Sequence, residues 1–223
     1  TISLTLGPVS PGRVASTWAM KQWSRASLEA LDVQVEIEGE HRLPQGGYLY
    51  ASNHQSLLDI LVLGAFLPGD LKWAAKRSIM KVPFLGWHLQ LAGHVPVDRR
   101  AGRRAAAEVI KRFEAVMRAD KPLLVFPEGT RSEDGNIKPF KNGGFYAAVR
   151  AGKPVVPVAL DGTYQLMGKH AADSGDPTRG NRRVLVAMGH PIPPPAEGKE
   201  RDRVVQLRDE TQAAVEALHR DLR

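Results

Sequence analysis

The chain has 223 residues and no cysteine. It is long enough for one sizeable core, and disulfide scaffolds, cysteine-rich metal sites and a thiol nucleophile of its own are excluded. Thirty-one Lys and Arg against 24 Asp and Glu give a formal charge of +7, an excess that favours phosphate-bearing partners such as anionic lipid, nucleic acid or a nucleotide-like cofactor.

Residues 1–12 mix apolar side chains with two prolines and predict an irregular lead-in. A helix is expected over 14–31, with Ala15, Trp18, Ala19, Trp23, Ala26 and Ala30 on one side and Lys21 and Arg25 among them. Tryptophan beside basic residues suits a helix lying on a membrane surface, and packing on the domain is the alternative. After Gly46-Gly47 strand and helix patterns alternate. Strands are predicted at 48–52, 71–75, 95–97, 123–126, 155–160 and 184–188. Helices are predicted at 57–67, 78–91 (despite Pro83), 101–119, 143–151 and 202–222. A loop rich in Gly, Asp, Arg and Pro is expected at 169–183. This alternation predicts an α/β fold, a single domain with a mostly parallel or mixed sheet flanked by helices. Residues 1–45 read as lead-in and amphipathic helix with possible membrane contact, and 46–223 as the main domain.

The longest apolar stretch, 60–67, is far short of the roughly 20 residues that span a bilayer. The chain begins at Thr1 and not at Met, which leaves open an upstream segment carrying a membrane anchor. Common catalytic signatures fail. Gly162 to Lys169 has glycines one residue too far apart for a phosphate-binding loop, and His170 stands where Ser or Thr would hold magnesium. There is no nucleophile elbow and no His-Glu-x-x-His. The histidines other than His54 read as structural or solvated, and no metal site is expected. The basic residues are scattered without an aromatic platform, so nucleic acid is not an expected partner.

Two stretches carry chemistry. In Ser52-Asn53-His54-Gln55-Ser56-Leu57-Leu58-Asp59 a strand ends, a polar loop presents His54, and a helix begins. Neutral histidine is the usual general base near neutrality, and a carboxylate on its other nitrogen fixes the tautomer. In one continuous helix the two side chains would point about 140° apart. They meet if His54 lies in the turn before the helix and Asp59 in its first turn. Ser56 and Asp59 also make a capping box, so Asp59 has a purely structural reading as well. In the second stretch, Leu123-Leu124-Val125-Phe126-Pro127-Glu128-Gly129-Thr130-Arg131-Ser132, an apolar strand delivers a polar loop at its carboxyl end, where open α/β sheets bind ligands. Arg131 offers a planar fork suited to phosphate, and a solvated surface turn is the alternative.

Together, Asn-His-x-x-x-x-Asp and Phe-Pro-Glu-Gly-Thr-Arg-Ser resemble the glycerolipid acyltransferase family, in particular its 1-acyl-sn-glycerol-3-phosphate acyltransferases. Lys76, Pro83, Gly86, Gly93 and Val97-Asp98-Arg99 resemble the family's intermediate block. Val156-Pro157-Val158 and Gly189-His190-Pro191-Ile192 resemble its later segments. The resemblance covers residues 48–192. Ile79 departs from the leucine of many members, and the hydrophobic N-terminal anchor of many members is absent.

The resemblance implies acyl transfer from acyl-CoA or acyl-carrier protein to a lysophospholipid hydroxyl, giving phosphatidic acid in phospholipid biosynthesis on the cytoplasmic face of a membrane. His54 would act as base and Asp59 would orient it. Arg131, Lys76 and Arg99 would grip the acceptor phosphate. Glu128, Gly129 and Thr130 would position the loop. No bound cofactor is expected. Another acceptor, such as glycerol 3-phosphate or a different lysolipid, is the alternative within enzymes. A non-catalytic lipid-binding module on the membrane surface is the alternative of another class.

Overall fold

A computed structural model describes residues 14–83, 85–98, 102–168 and 182–223. In chain order, α1 (Val14–Ala30) leads to β1 (Gln34–Glu38), β2 (Leu49–Ser52), α2 (Leu58–Phe66), β3 (Lys72–Lys76), α3 (Leu85–Leu91) and β4 (Val95–Val97). Then follow α4 (Arg103–Arg118), β5 (Leu123–Val125), α5 (Gly143–Ala151), β6 (Val155–Asp161), α6 (Thr163–Met167), β7 (Arg183–Met188) and α7 (Glu200–Asp221).

The seven strands make one sheet in the order β1-β7-β6-β2-β5-β3-β4. From β6 through β4 every neighbouring pair is parallel, whereas β7 runs antiparallel to β6 and β1 runs parallel to β7. The sheet is therefore mixed, as the alternation of elements predicts.

The central strands are apolar on both faces because helices cover both faces. Tyr50, Leu124, Val156 and Val158 point into one core, with Val62 and Leu63 of α2 and Met20 and Leu28 of α1. Their neighbours Leu49, Leu123, Val125 and Val155 point into the other, against Phe113 and Met117 of α4, Phe145 of α5 and Leu207 and Val215 of α7. Each fully buried Val, Leu or Phe contributes about 1.5–3 kcal/mol. This double burial fixes the register, and with it the edge at which β2 to β6 all end.

Two expectations change. Gln34–Glu38, grouped by sequence with the lead-in, is an edge strand paired to β7 along its whole length. Its side chains alternate exposed and half-buried, and the short polar pattern masks a strand. Second, residues 78–91 are not one helix. Ile79–Lys81 is a 3₁₀ turn, and α3 starts only at Leu85, because proline at position 83 cannot continue a helix from within. The Gly86 N–H then bonds Val82 O at 2.7 Å. A Cβ on Gly86 would lie 2.2 Å from Met80 O, so the reversal closes only around a glycine. As for α1, it packs on the domain by turning Ser16, Thr17, Met20, Ser24 and Leu28 inward, and it leaves Trp18 and Trp23 more than half exposed, at 51% and 59%. Small residues allow α1 to lie close on the domain while both indoles face outward. Residues 1–12, most of the predicted loop at 169–183, and Arg99 lie outside the described residues; that loop's final residue, Arg183, opens β7.

Candidate active site

Because β2, β3, β4, β5 and β6 run the same way, their carboxyl ends bring together segments far apart in sequence. His54 follows β2, Lys76 ends β3, the Phe126–Arg131 loop follows β5 and Thr163 follows β6. This is the crevice position expected of a ligand site in an α/β sheet.

His54 lies in the turn before α2, and Asp59 is the second residue of that helix. His54 Nδ1 is 2.8 Å from Asp59 Oδ2. The same oxygen accepts the backbone N–H groups of Gln55 at 2.7 Å and Ser56 at 2.9 Å. Asp59 Oδ1 accepts the Thr163 hydroxyl at 2.6 Å. One carboxylate therefore both closes the start of α2 and faces the imidazole. With Nδ1 donating to Asp59, the lone pair of the neutral ring is on Nε2. Nε2 has no hydrogen-bond partner among the described residues. The imidazole stacks on Phe126 with ring centroids 3.9 Å apart and planes 13° from parallel.

The loop holding His54 is tied on two sides. Asn53 donates through Nδ2 to Leu160 O at 2.9 Å and accepts the Leu160 N–H through Oδ1 at 2.8 Å. Glu128 accepts the His54 N–H at 2.7 Å and the Lys138 N–H at 3.0 Å. The Ser132 N–H donates to His54 O at 2.7 Å. Glu128 is almost fully buried, and that burial pushes its carboxyl up to about 7, with the negative charge of Asp59 adding to the rise and the two backbone donors opposing it.

Gly129 has φ 75°, a left-handed conformation that glycine adopts without a Cβ penalty. A Cβ there would also come within 2.5 Å of Lys141 Nζ. Thr130 and Arg131 follow, both half-buried. Neither the Arg131 side chain nor that of the exposed Lys76 makes a hydrogen bond or ion pair among the described residues. A cavity of about 290 Å³ opens beside this loop, lined by Phe126, Pro127 and Gly129 with Val109, Ile110 and Phe113 of α4. Among the described residues no group of His, Cys, Asp and Glu is arranged to hold a metal ion.

Sequence reasoning placed the local pair His54 and Asp59 and the Glu128 loop. It missed Asn53 as a clamp and Thr163 as a ligand of Asp59, whose partners lie 107 and 104 residues away. The polar Asn53 before His54 was a visible signal; Thr163, at the start of a short helix, gave none.

A buried imidazole backed by a carboxylate, with no partner on its second nitrogen among the described residues, has the geometry that general-base chemistry requires. The family model described as Acyltransferase matches residues 34–161, and the chain belongs to that family. It is 35% identical over 168 residues to the chloroplastic 1-acyl-sn-glycerol-3-phosphate acyltransferase of Brassica napus, covering 74% of this chain and 47% of that protein. It is 39% identical over 139 residues to the 1-acyl-sn-glycerol-3-phosphate acyltransferase of Saccharomyces cerevisiae, covering 61% of this chain and 46% of that protein. The chain thus spans about half the length of these curated relatives. Among solved structures it is similar to the 1-acyl-sn-glycerophosphate acyltransferase PlsC of Thermotoga maritima, with a TM-score of 0.70 and 27% identity over 92% of this chain and 81% of that one.

Proposed function

We propose that the chain transfers a fatty acyl group from an acyl thioester, acyl-CoA or acyl-carrier protein, to the free hydroxyl of 1-acyl-sn-glycerol 3-phosphate, giving phosphatidic acid. The observation that carries this reading is the 2.8 Å contact between His54 Nδ1 and Asp59. Relatives named for this acceptor support it.

His54 Nε2 removes the proton from the acceptor hydroxyl as its oxygen attacks the thioester carbonyl carbon. The C–O bond forms, the C–S bond breaks, and the departing thiolate takes the proton back from the imidazolium. Asp59 holds the ring's orientation and stabilises the imidazolium. Glu128, Gly129 and Thr130 shape the loop, and Glu128 acts by clamping the backbone of His54. Arg131 and Lys76 receive the acceptor phosphate, with Arg99 as a third cation carried over from the motif. The cavity beside Phe126 suits the apolar chain of a substrate. No bound cofactor takes part.

No helix among the described residues is long and apolar enough to cross a membrane. The outward Trp18 and Trp23 on α1 support contact with the surface of a membrane, and the cytoplasmic face is proposed from the family resemblance alone. The test is acyl transfer from labelled acyl-CoA to lysophosphatidate, with product position read by mass spectrometry and glycerol 3-phosphate assayed alongside. Removing a general base lowers turnover by about 10²–10⁴, so His54→Ala is expected to lose at least that while remaining folded. Near-normal turnover in this variant would remove His54 from the mechanism.

A further inference from the structure

Behind the catalytic loop, Gln55 and His219 form a buried polar junction that the acyl-transfer steps do not use. Gln55 Nε2 donates to Gly135 O at 3.0 Å and stands 3.1 Å from His219 Nε2. The carbonyl of Gly135 fixes the amide orientation, because the flipped amide would set two acceptors against each other. The second hydrogen of Gln55 Nε2 therefore needs a lone pair on His219 Nε2, which places the proton of neutral His219 on Nδ1.

The same His219 Nε2 is also 3.4 Å from Asp161 Oδ1, at the end of β6. Asp161 Oδ1 and Gln55 Oε1 are both buried without a hydrogen-bond partner. Interaction with His219 holds the Asp161 carboxyl below the usual carboxylate range, although burial opposes this. One ring nitrogen is thus required as an acceptor by Gln55 and as a donor by Asp161, and it cannot be both.

We propose that His219 is a positioning residue for the catalytic loop: in its neutral form it accepts from Gln55 and fastens the loop to α7, and a proton on Nε2 turns the ring to Asp161 and releases Gln55. The backbone N–H of Gln55 is one of the donors on Asp59, so release of Gln55 loosens the seat of the His54–Asp59 pair. This rests on the reading of that pair as the base.

The charged groups around the junction leave Asp161 as the partner of a protonated His219. Arg223 Nε is 3.7 Å from Asp161 Oδ1. Arg220 and Asp221 follow His219 in sequence, and Glu216 accepts from Gln212 at 2.8 Å. On the loop carrying Gly135, Asp134 accepts from Asn136 and Ser132, and Glu133 pairs with Lys138 at 3.4 Å. From α5, Arg150 pairs with Glu200, and from β7, Arg183 pairs with Glu36. Beyond Gln55 lie Asp59, bonded to His54, and Glu128, bonded to two backbone N–H groups.

Two measurements on the intact chain test this. Nitrogen-15 NMR of the histidine side chains reads which ring nitrogen of neutral His219 carries the proton, through-bond assignment identifying the residue. Nδ1–H is the expected tautomer; Nε2–H overturns the proposal whatever the activity. The second is kcat against pH, with acyl-CoA and lysophosphatidate. Protonation of either His54 or His219 weakens the site, so the acid limb of log kcat approaches a slope of about two, falling to about one in His219→Gln. The glutamine amide offers an acceptor to Gln55 and a donor to Asp161 at every pH. Asp161→Asn, which removes the charge that attracts the imidazolium, shifts the steep part of the limb to lower pH. A purely structural role lowers kcat equally across the range and leaves its steepness unchanged, and that result overturns the proposal. Failure of the base assignment reads differently, as retained turnover in His54→Ala with the His219 tautomer still measurable.

Discussion

Replacing Asp59 by asparagine isolates charge from geometry at this site. Asp59 Oδ2 faces three N–H donors, from His54, Gln55 and Ser56, while Oδ1 faces only the Thr163 hydroxyl. An asparagine placed with its oxygen toward the three donors turns its NH₂ to Thr163, whose hydroxyl accepts as readily as it donates. The fold and the His54 tautomer are therefore retained, and only the negative charge is lost. With the 2.8 Å N–O contact, charge centres about 4 Å apart at an effective dielectric of about 20 attract by about 4 kcal/mol. A transition state with roughly half the proton transferred feels about half of that. At tenfold per 1.36 kcal/mol, kcat falls by about 30-fold, and by about 1,000-fold if the proton is fully transferred. Thiol release from acyl-CoA, followed with a thiol-reactive chromophore, measures it against no protein background because the chain has no cysteine. A kcat within about threefold of wild type at unchanged Tm would mean that Asp59 does not stabilise an imidazolium. Asp59→Ala is the poorer test, because each buried donor left unsatisfied costs about 1–3 kcal/mol and turnover loss mixes with unfolding.

Arg131→Ala removes a charge-assisted contact of about 1.5–3 kcal/mol and is expected to raise the KM for lysophosphatidate by about 10- to 150-fold; an unchanged KM places the phosphate elsewhere. Thr163→Val leaves Asp59 Oδ1 buried without a donor and should lower stability by about 1–3 kcal/mol in urea denaturation; unchanged stability would mean that the bond contributes nothing. Glu128, raised to about 7 by burial, keeps in the folded state a proton that the unfolded chain has already released near its ordinary value. Its contribution is full below the unfolded value and is lost as pH rises through about 7. Denaturation midpoints measured between these limits should show a decline on the order of 1–3 kcal/mol in wild type that is absent from Glu128→Gln; parallel curves would place the titration on another group.

What sequence made legible was local. His54 and Asp59 are five residues apart, near enough for a strand-to-helix turn to dictate their meeting. The Phe126–Arg131 loop announced itself by following a fully apolar strand. The supports of the site were not legible, because Thr163, Leu160 and His219 come to it only through the order in which strands lie in the sheet. β1 escaped notice because glutamate and glutamine take its outer face, and a five-residue alternation with half-buried partners is weak against the surrounding polarity. Which face of α1 packs was not legible either, because the helix is seated through serine, threonine and methionine while Trp18 and Trp23 stay exposed.

The two bonds between the Asn53 side chain and the main chain of Leu160 reach further than a clamp. β2 and β6 pair regularly as far as Ser52 and Val158, and beyond that point β6 runs on to Asp161 while β2 has ended. A strand that outruns its neighbour leaves orphaned amides, and here a carboxamide stands in for the missing strand, offering the donor and the acceptor that a neighbouring peptide would have supplied. Aspartate has no donor to give and leucine has neither group. The end of β2 is thus kept in register with β6 by the side chain of the residue immediately before His54.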